Sequence, residues 1–102
     1  MPKYHVYVIE LKRSACAHHS SAEHRRRRPM YVGQTVLEPE ARYQQHAEGY
    51  KSSSAARRYH RRLRYDLAEG WGRYKTRDEA LNAEKSLAEH LRQRGWCVFG
   101  GH

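Results

Sequence analysis

The stretch Tyr4-His5-Val6-Tyr7-Val8-Ile9-Glu10-Leu11 decides the fold. Val6, Val8 and Ile9 are β-branched, Tyr4 and Tyr7 are aromatic, and no glycine or proline interrupts them, so the segment reads as a strand. Both of its faces are largely apolar. A strand covered on both sides belongs at the centre of a sheet.

Beyond Leu11 the composition turns to Ser, Ala and His and ends in the run Arg25-Arg26-Arg27-Arg28, with no hydrophobic period. Residues 12–28 therefore read as a basic loop or insertion. Cys16, His18, His19 and His24 lie in it, but their spacing fits no common zinc module, and a solvated basic arm is the better reading. Met30 to Thr35 gives a second short strand, so the two strands make an elaborated hairpin around that arm. Gly33 near its end marks a bend or a place where a backbone or ligand comes close. Pro39, between Glu38 and Glu40, suits the first turn of a helix that should run to about Glu48 and stop near Gly49. Arg42 and His46 are four apart on it and project from one side.

Ser52-Ser53-Ser54 offers caps for a second helix expected from Ala55 towards Ala68. On helical spacing Ala56, Tyr59, Leu63 and Leu67 form an apolar stripe, and Arg57, Arg58, Arg61, Arg62 and Arg64 form an uninterrupted ridge on the other side. Trp71 to Tyr74 reads as a third short strand. Thr76-Arg77-Asp78-Glu79 is a capping box opening a helix to about Arg94, with Gly95 placed to stop it and Trp96 to Phe99 as an extended end.

The chain has 102 residues, of which 38% are apolar and 30% charged, enough for one domain (1–102) with a thin core and an ionic surface. Twenty Lys and Arg against eleven Asp and Glu give a net charge of +9. So basic a chain fits a polyanion, because neutralising phosphates releases condensed counterions. Nucleic acid is the expected partner, with the arginine ridge as its contact. No apolar run approaches the roughly 20 residues of a membrane span and no signal-peptide pattern is visible, so no membrane is expected as a partner and a cytoplasmic location is. Cys16 and Cys97 read as incidental reduced thiols.

One residue breaks its pattern. At 100° per residue Ala80, Ala83, Leu87, Ala88 and Leu91 share the core face of the last helix, and Glu84 lies among them. Asp78, Glu79 and Glu89 fall outside that stripe. An inward carboxylate must be paired, hydrogen-bonded or bound to a metal. The residues alone leave two readings of Glu84: a salt bridge to one of the many arginines, or a ligand for a metal ion whose other sites are filled by waters and phosphate oxygens. Tyr7 and Tyr31, taken singly, read as core aromatics with polar tips.

The order of these residues resembles the GIY-YIG nuclease superfamily. His5-Val6-Tyr7 stands where that family's first motif would be, Tyr31-Val32-Gly33-Gln34-Thr35 is similar to its second, Arg42 with His46 matches the following Arg-x-x-x-His spacing, and Glu84 matches its late helical glutamate. The resemblance spans nearly the whole chain. It implies an α+β fold, a small central antiparallel sheet of about three strands flanked by helices. It also implies a metal-dependent endonuclease hydrolysing phosphodiester bonds, in DNA or alternatively RNA, with one Mg²⁺ or Mn²⁺ per site held by Glu84. Tyr7 and Tyr31 would flank the scissile phosphate, Tyr7 orienting or deprotonating the attacking water. Arg42 would stabilise phosphoryl charge, His46 would assist proton transfer or contact phosphate, and Lys51 or His60 would fill an extra basic position. His5 replaces the glycine of the family name, the gap between the two tyrosines is long, and Gly100-Gly101-His102 stands where an asparagine is expected. Cutting both strands from one small site would favour a homodimer. The alternative from charge alone is a non-catalytic basic nucleic-acid-binding protein.

Overall fold

The computed structural model describes residues 3–16, 28–49, 53–71 and 73–100. Strand β1 (Tyr4–Leu11) leads through a short 3-10 turn (Arg13–Cys16) towards β2 (Met30–Thr35), then helix α1 (Pro39–Glu48). Next come α2 (Ser54–Tyr59), β3 (His60–Leu63), α3 (Tyr65–Ala68), β4 (Arg73–Tyr74), the long α4 (Arg77–Gln93) and β5 (Val98–Gly100). No helix is long and apolar enough to cross a membrane among the described residues.

β1 lies inside the sheet, as its two apolar faces require. The strand order is β3-β1-β2-β5, and β4 adds to the start of β1. β1 and β2 pair antiparallel from His5 with Thr35 to Glu10 with Met30. Even-numbered residues of both strands face α4: Val6, Val8, Met30 and Val32 pack with Ala83, Leu87, Ala88 and Leu91. Odd-numbered residues face the other way, where Tyr7, Ile9 and Leu11 meet Ala56 with Tyr43, Tyr59 and Leu63 around them. Both layers exclude water from a thin sheet, and burying each such aliphatic side chain stabilises the fold by about 1.5–3 kcal/mol.

Helix ends follow their local chemistry. Pro39 starts α1, and the N–H of Gly49, at φ 85°, donates to the carbonyls of Gln45 and His46 to close it. Thr76 caps α4 by accepting a hydrogen bond from the Glu79 N–H at 3.2 Å. At the far edge of the sheet Arg92 donates to the carbonyls of Val98 and Gly100, both at 3.1 Å.

Three expectations are corrected. Among the described residues the sheet has five strands rather than about three, and it is mixed, because β5 runs parallel to β2 with Met30 opposite Val98. β4 and β5 are only two and three residues long, too short to show a period of two, and α4 carries the chain back so that β5 returns in the direction of β2. The single helix over 55–68 does not form. α2 ends at Tyr59, and His60–Leu63 become β3, with Leu63 opposite Ile9 and Arg62 opposite Glu10. Pairing with β1 thus overrides the helix preference of arginine and leucine, and the arginine ridge along one helix is lost with it. Cys97, finally, is buried and disulfide-bonded, not a free thiol. Its carbonyl accepts the Met30 N–H at 2.9 Å, so it is set in the core beside β2, a neighbourhood that overall polarity does not reveal.

Candidate active site

Tyr7 and Gly33 are cross-strand partners on β1 and β2. A Cβ on Gly33 would lie 2.5 Å from the Tyr7 Oη and 2.6 Å from its Cζ. Gly33 is therefore required for space, since its missing side chain lets the phenol of Tyr7 lie across β2. Laid flat in this way, the Tyr7 hydroxyl reaches Nε2 of His46 on α1 at 2.8 Å. Tyr31, two residues before Gly33, projects from the same face. Its ring is 6.2 Å from that of Tyr7 and meets the His46 imidazole edge-on at 5.3 Å. Three groups from three separate elements thus meet at one point.

Arg42 stands one turn before His46 on α1, its Nη1 donating to Gln45 Oε1 at 2.9 Å. Its charge acts on Tyr7, Tyr31 and His46 alike. Burial pushes the Tyr7 phenol well above the ordinary tyrosine range, with Tyr31 and Glu84 adding to the rise and Arg42 opposing it. Tyr31 is also raised, first by burial and then by Glu84, against the Arg42 charge and the Tyr7 hydroxyl. His46 is fully enclosed, and burial, then Arg42 and His60, bring it down to about 4. At neutral pH both phenols are protonated and the imidazole is uncharged.

A neutral imidazole has one N–H. Nδ1 of His46 is buried with no hydrogen-bond partner. Were the proton on Nδ1, a donor would be orphaned, whereas a proton on Nε2 leaves only a lone pair without a partner. Orphaned buried donors are the rarer and costlier kind, which assigns the proton to Nε2. His46 then donates to the Tyr7 oxygen, and the Tyr7 hydroxyl also hydrogen-bonds Tyr31, linking the two phenols to the imidazole.

Glu84 is on α4, which covers the opposite face of the sheet, and is 9% exposed. Burial raises its carboxyl to about 7 against the pull of Lys85. It makes no hydrogen bond or ion pair among the described residues, and no arginine figures among the charges that move its pKa. The arginine salt bridge open to Glu84 from the sequence is not formed there. Among the described residues no three His, Cys, Asp or Glu side chains gather into a metal cage.

Comparison with protein-family models, curated proteins and solved structures finds no match.

The expected nucleic-acid contacts divide. Arg57 and Arg58 are on α2, where Arg57 crosses Gly49 and Arg58 lies over the Tyr59 ring at 5.9 Å. Arg61 and Arg62 are on β3 and both reach Glu10. His60 turns back to the Ala56 carbonyl at 3.0 Å. Lys51 and His102 fall outside the described residues, as does most of the 12–28 arm. Glu10 was missed by the sequence reading. It carries the same signal as Glu84, an acid inside an apolar pattern, and is 3% exposed. A groove of about 720 Å³ lined by Trp71, His90, Arg94 and Trp96 contains none of the groups around Tyr7.

Proposed function

We propose that the chain is a metal-dependent endonuclease of the GIY-YIG type that hydrolyses phosphodiester bonds, in DNA by preference and RNA as the alternative. One observation carries the reading: Tyr7, Tyr31 and His46 converge under the Arg42 charge, and the nearby Glu84 carboxylate is buried without an ion-pair partner among the described residues. In a structural core such a carboxylate is an uncompensated cost. A site for a divalent ion offsets that cost.

The donor set fits Mg²⁺ or Mn²⁺, one ion per site, because such ions accept a single carboxylate and complete their shell with water and phosphate oxygens. The bound ion supplies charge stabilisation to the oxygens of the reacting phosphate. Arg42 presents a planar guanidinium to the phosphoryl oxygens, where negative charge builds in the transition state. Tyr7 and Tyr31 flank the phosphate. Tyr7 is held protonated by burial, so it acts as a hydrogen-bonding group that orients water or a phosphoryl oxygen together with Tyr31, and takes up no proton at pH 7. His46 positions Tyr7 from behind. A homodimer would bring two such sites to the two strands of a duplex.

The test is incubation of purified protein with supercoiled plasmid, single-stranded DNA and RNA, with and without Mg²⁺ or Mn²⁺. Metal-dependent cleavage is expected, reduced at least a hundredfold by Glu84→Ala and by Arg42→Ala. Equal cleavage by wild type and Glu84→Ala would remove the proposed site. A second reading, non-catalytic binding of nucleic acid, is favoured by the net charge of +9 alone and predicts salt-sensitive binding with no turnover.

A further inference from the structure

Glu10 lies at the junction of β1 and β3 with its side chain 4% exposed, and four guanidiniums converge on it. Arg61 Nε donates to Oε2 at 2.8 Å, Arg62 Nε to the same oxygen at 3.3 Å, and Arg64 Nη1 to Oε1 at 2.8 Å. Arg28 Nε stands 3.9 Å from Oε2. Asp66 takes two further donors of Arg64. Four positive charges against two carboxylates leave a surplus of two.

That surplus faces water. Arg64 is tied at both ends, but the side chains of Arg61 and Arg62 are 47% and 64% exposed. Each reaches Glu10 through Nε, and their Nη groups make no hydrogen bond among the described residues. One carboxylate would satisfy one arginine, so the convergence exceeds what burying Glu10 needs. What it achieves is placement: flexible guanidiniums are gathered at one edge with their outer donors free and part of their ordering entropy already lost in folding. Planar, outward-facing guanidiniums match the two unesterified oxygens of a phosphodiester.

We propose that Arg28, Arg61 and Arg62, gathered by Glu10 at the β1–β3 edge, form a second phosphate-binding site that grips the nucleic-acid backbone away from the bond being cut. The site rests on nucleic acid being the substrate, and it gives a small domain a hold on flanking sequence that the catalytic groups do not supply. Glu10 is its positioning residue.

The experiment is binding of a labelled DNA duplex in EDTA, with no divalent metal, across a KCl series from 50 to 300 mM, which removes turnover from the measurement. Arg61→Gln with Arg62→Gln is expected to weaken binding about tenfold or more at 0.1 M salt and to lower the log–log salt slope by about 2, since each phosphate contact contributes about 0.9. Arg73→Gln with Arg77→Gln, which removes the same charge from exposed positions elsewhere, is expected to keep the wild-type slope. Equal slopes for the two double variants, or a wild-type slope for the first, overturn the proposal. Wild-type protein that binds no DNA at any salt overturns the nucleic-acid reading itself and this site with it. Should the first variant not fold, phenylglyoxal labelling of wild type decides: the duplex is expected to protect Arg61 and Arg62 but not Arg73 and Arg77, and unchanged labelling of all four overturns the site.

Discussion

The Tyr7 hydroxyl and Nε2 of His46 lie 2.8 Å apart, joining the central strand to α1 through a buried contact between residues 39 apart in sequence. Because burial holds His46 down to about 4, its proton count differs between the folded and unfolded chain. The unfolded imidazole takes up a proton near pH 6.5 and the folded one does not until about pH 4. Below pH 6.5 the unfolded state therefore binds more protons, and stability falls as pH drops from 6.5 to 4. His46→Gln should lack this contribution. Thermal melts of both proteins from pH 7.5 to 4.5 are expected to converge on acidification, and parallel curves would show that His46 does not titrate in this way.

Glu84 gives the opposite sign. Its folded carboxyl is raised from 4.5 to about 7, so the fold favours the protonated form and its penalty grows as pH rises across that window. Glu84→Gln is expected to melt a few degrees higher than wild type at pH 8 and at nearly the same temperature at pH 5. Mg²⁺ should reverse the order at pH 8 by stabilising only wild type, since a ligand that binds the folded state raises its melting temperature. A Glu84→Gln protein less stable than wild type at pH 8 without metal would mean the carboxylate has a partner that stabilises it.

Gly33→Ala puts a methyl 2.5 Å from the Tyr7 hydroxyl. The phenol must swing off β2 and leave His46. A loss of about 1–3 kcal/mol in stability is expected, in the range of overpacked sites, together with a loss of cleavage much larger than the fraction unfolded explains. Denaturant melts and activity at matched folded fraction measure the two separately, and full activity in the variant would detach Tyr7 from the chemistry.

Glu10→Gln takes away the countercharge shared by Arg61, Arg62 and Arg64. Their proximity lowers the Glu10 pKa against its own burial, so its stabilisation is present above about pH 4.5 and is lost as pH falls below that value. The variant should lose about 2 kcal/mol at pH 7, below the ~3–5 kcal/mol of a fully buried pair because Arg61 and Arg62 reach water. Urea melts at pH 7 and pH 3.5 check both parts: the gap between the proteins should narrow at the lower pH.

Where signals are local, sequence and structure agree to within a residue. The β-branched run set β1, Pro39 and Gly49 bracketed α1, and Thr76 with Gly95 bracketed α4. The inward position of Glu84 followed from the stripe on α4. Arg57 to Leu67 misled because its apolar spacing fits a helix, while the groups that make it a strand, Ile9 and Glu10, are some fifty residues earlier. The same distance hid the arginine cluster. Tyr7 and Tyr31 carried no separate signal as site residues. Only their order relative to Arg42, His46 and Glu84 set them apart, and the space above Gly33 that lets Tyr7 reach His46 exists only once β1 and β2 are paired.

Arg92 and the arginines of β3 also bear on how copies of the chain could meet. One outer strand of the sheet is lined by Arg61 and Arg62, and on the other the carbonyls of Val98 and Gly100 are already taken by a side chain of the same molecule. A neighbour arriving strand-first would have to displace Arg92 at one border and face concentrated positive charge at the other. Growth by sheet extension is thereby discouraged at both of these borders.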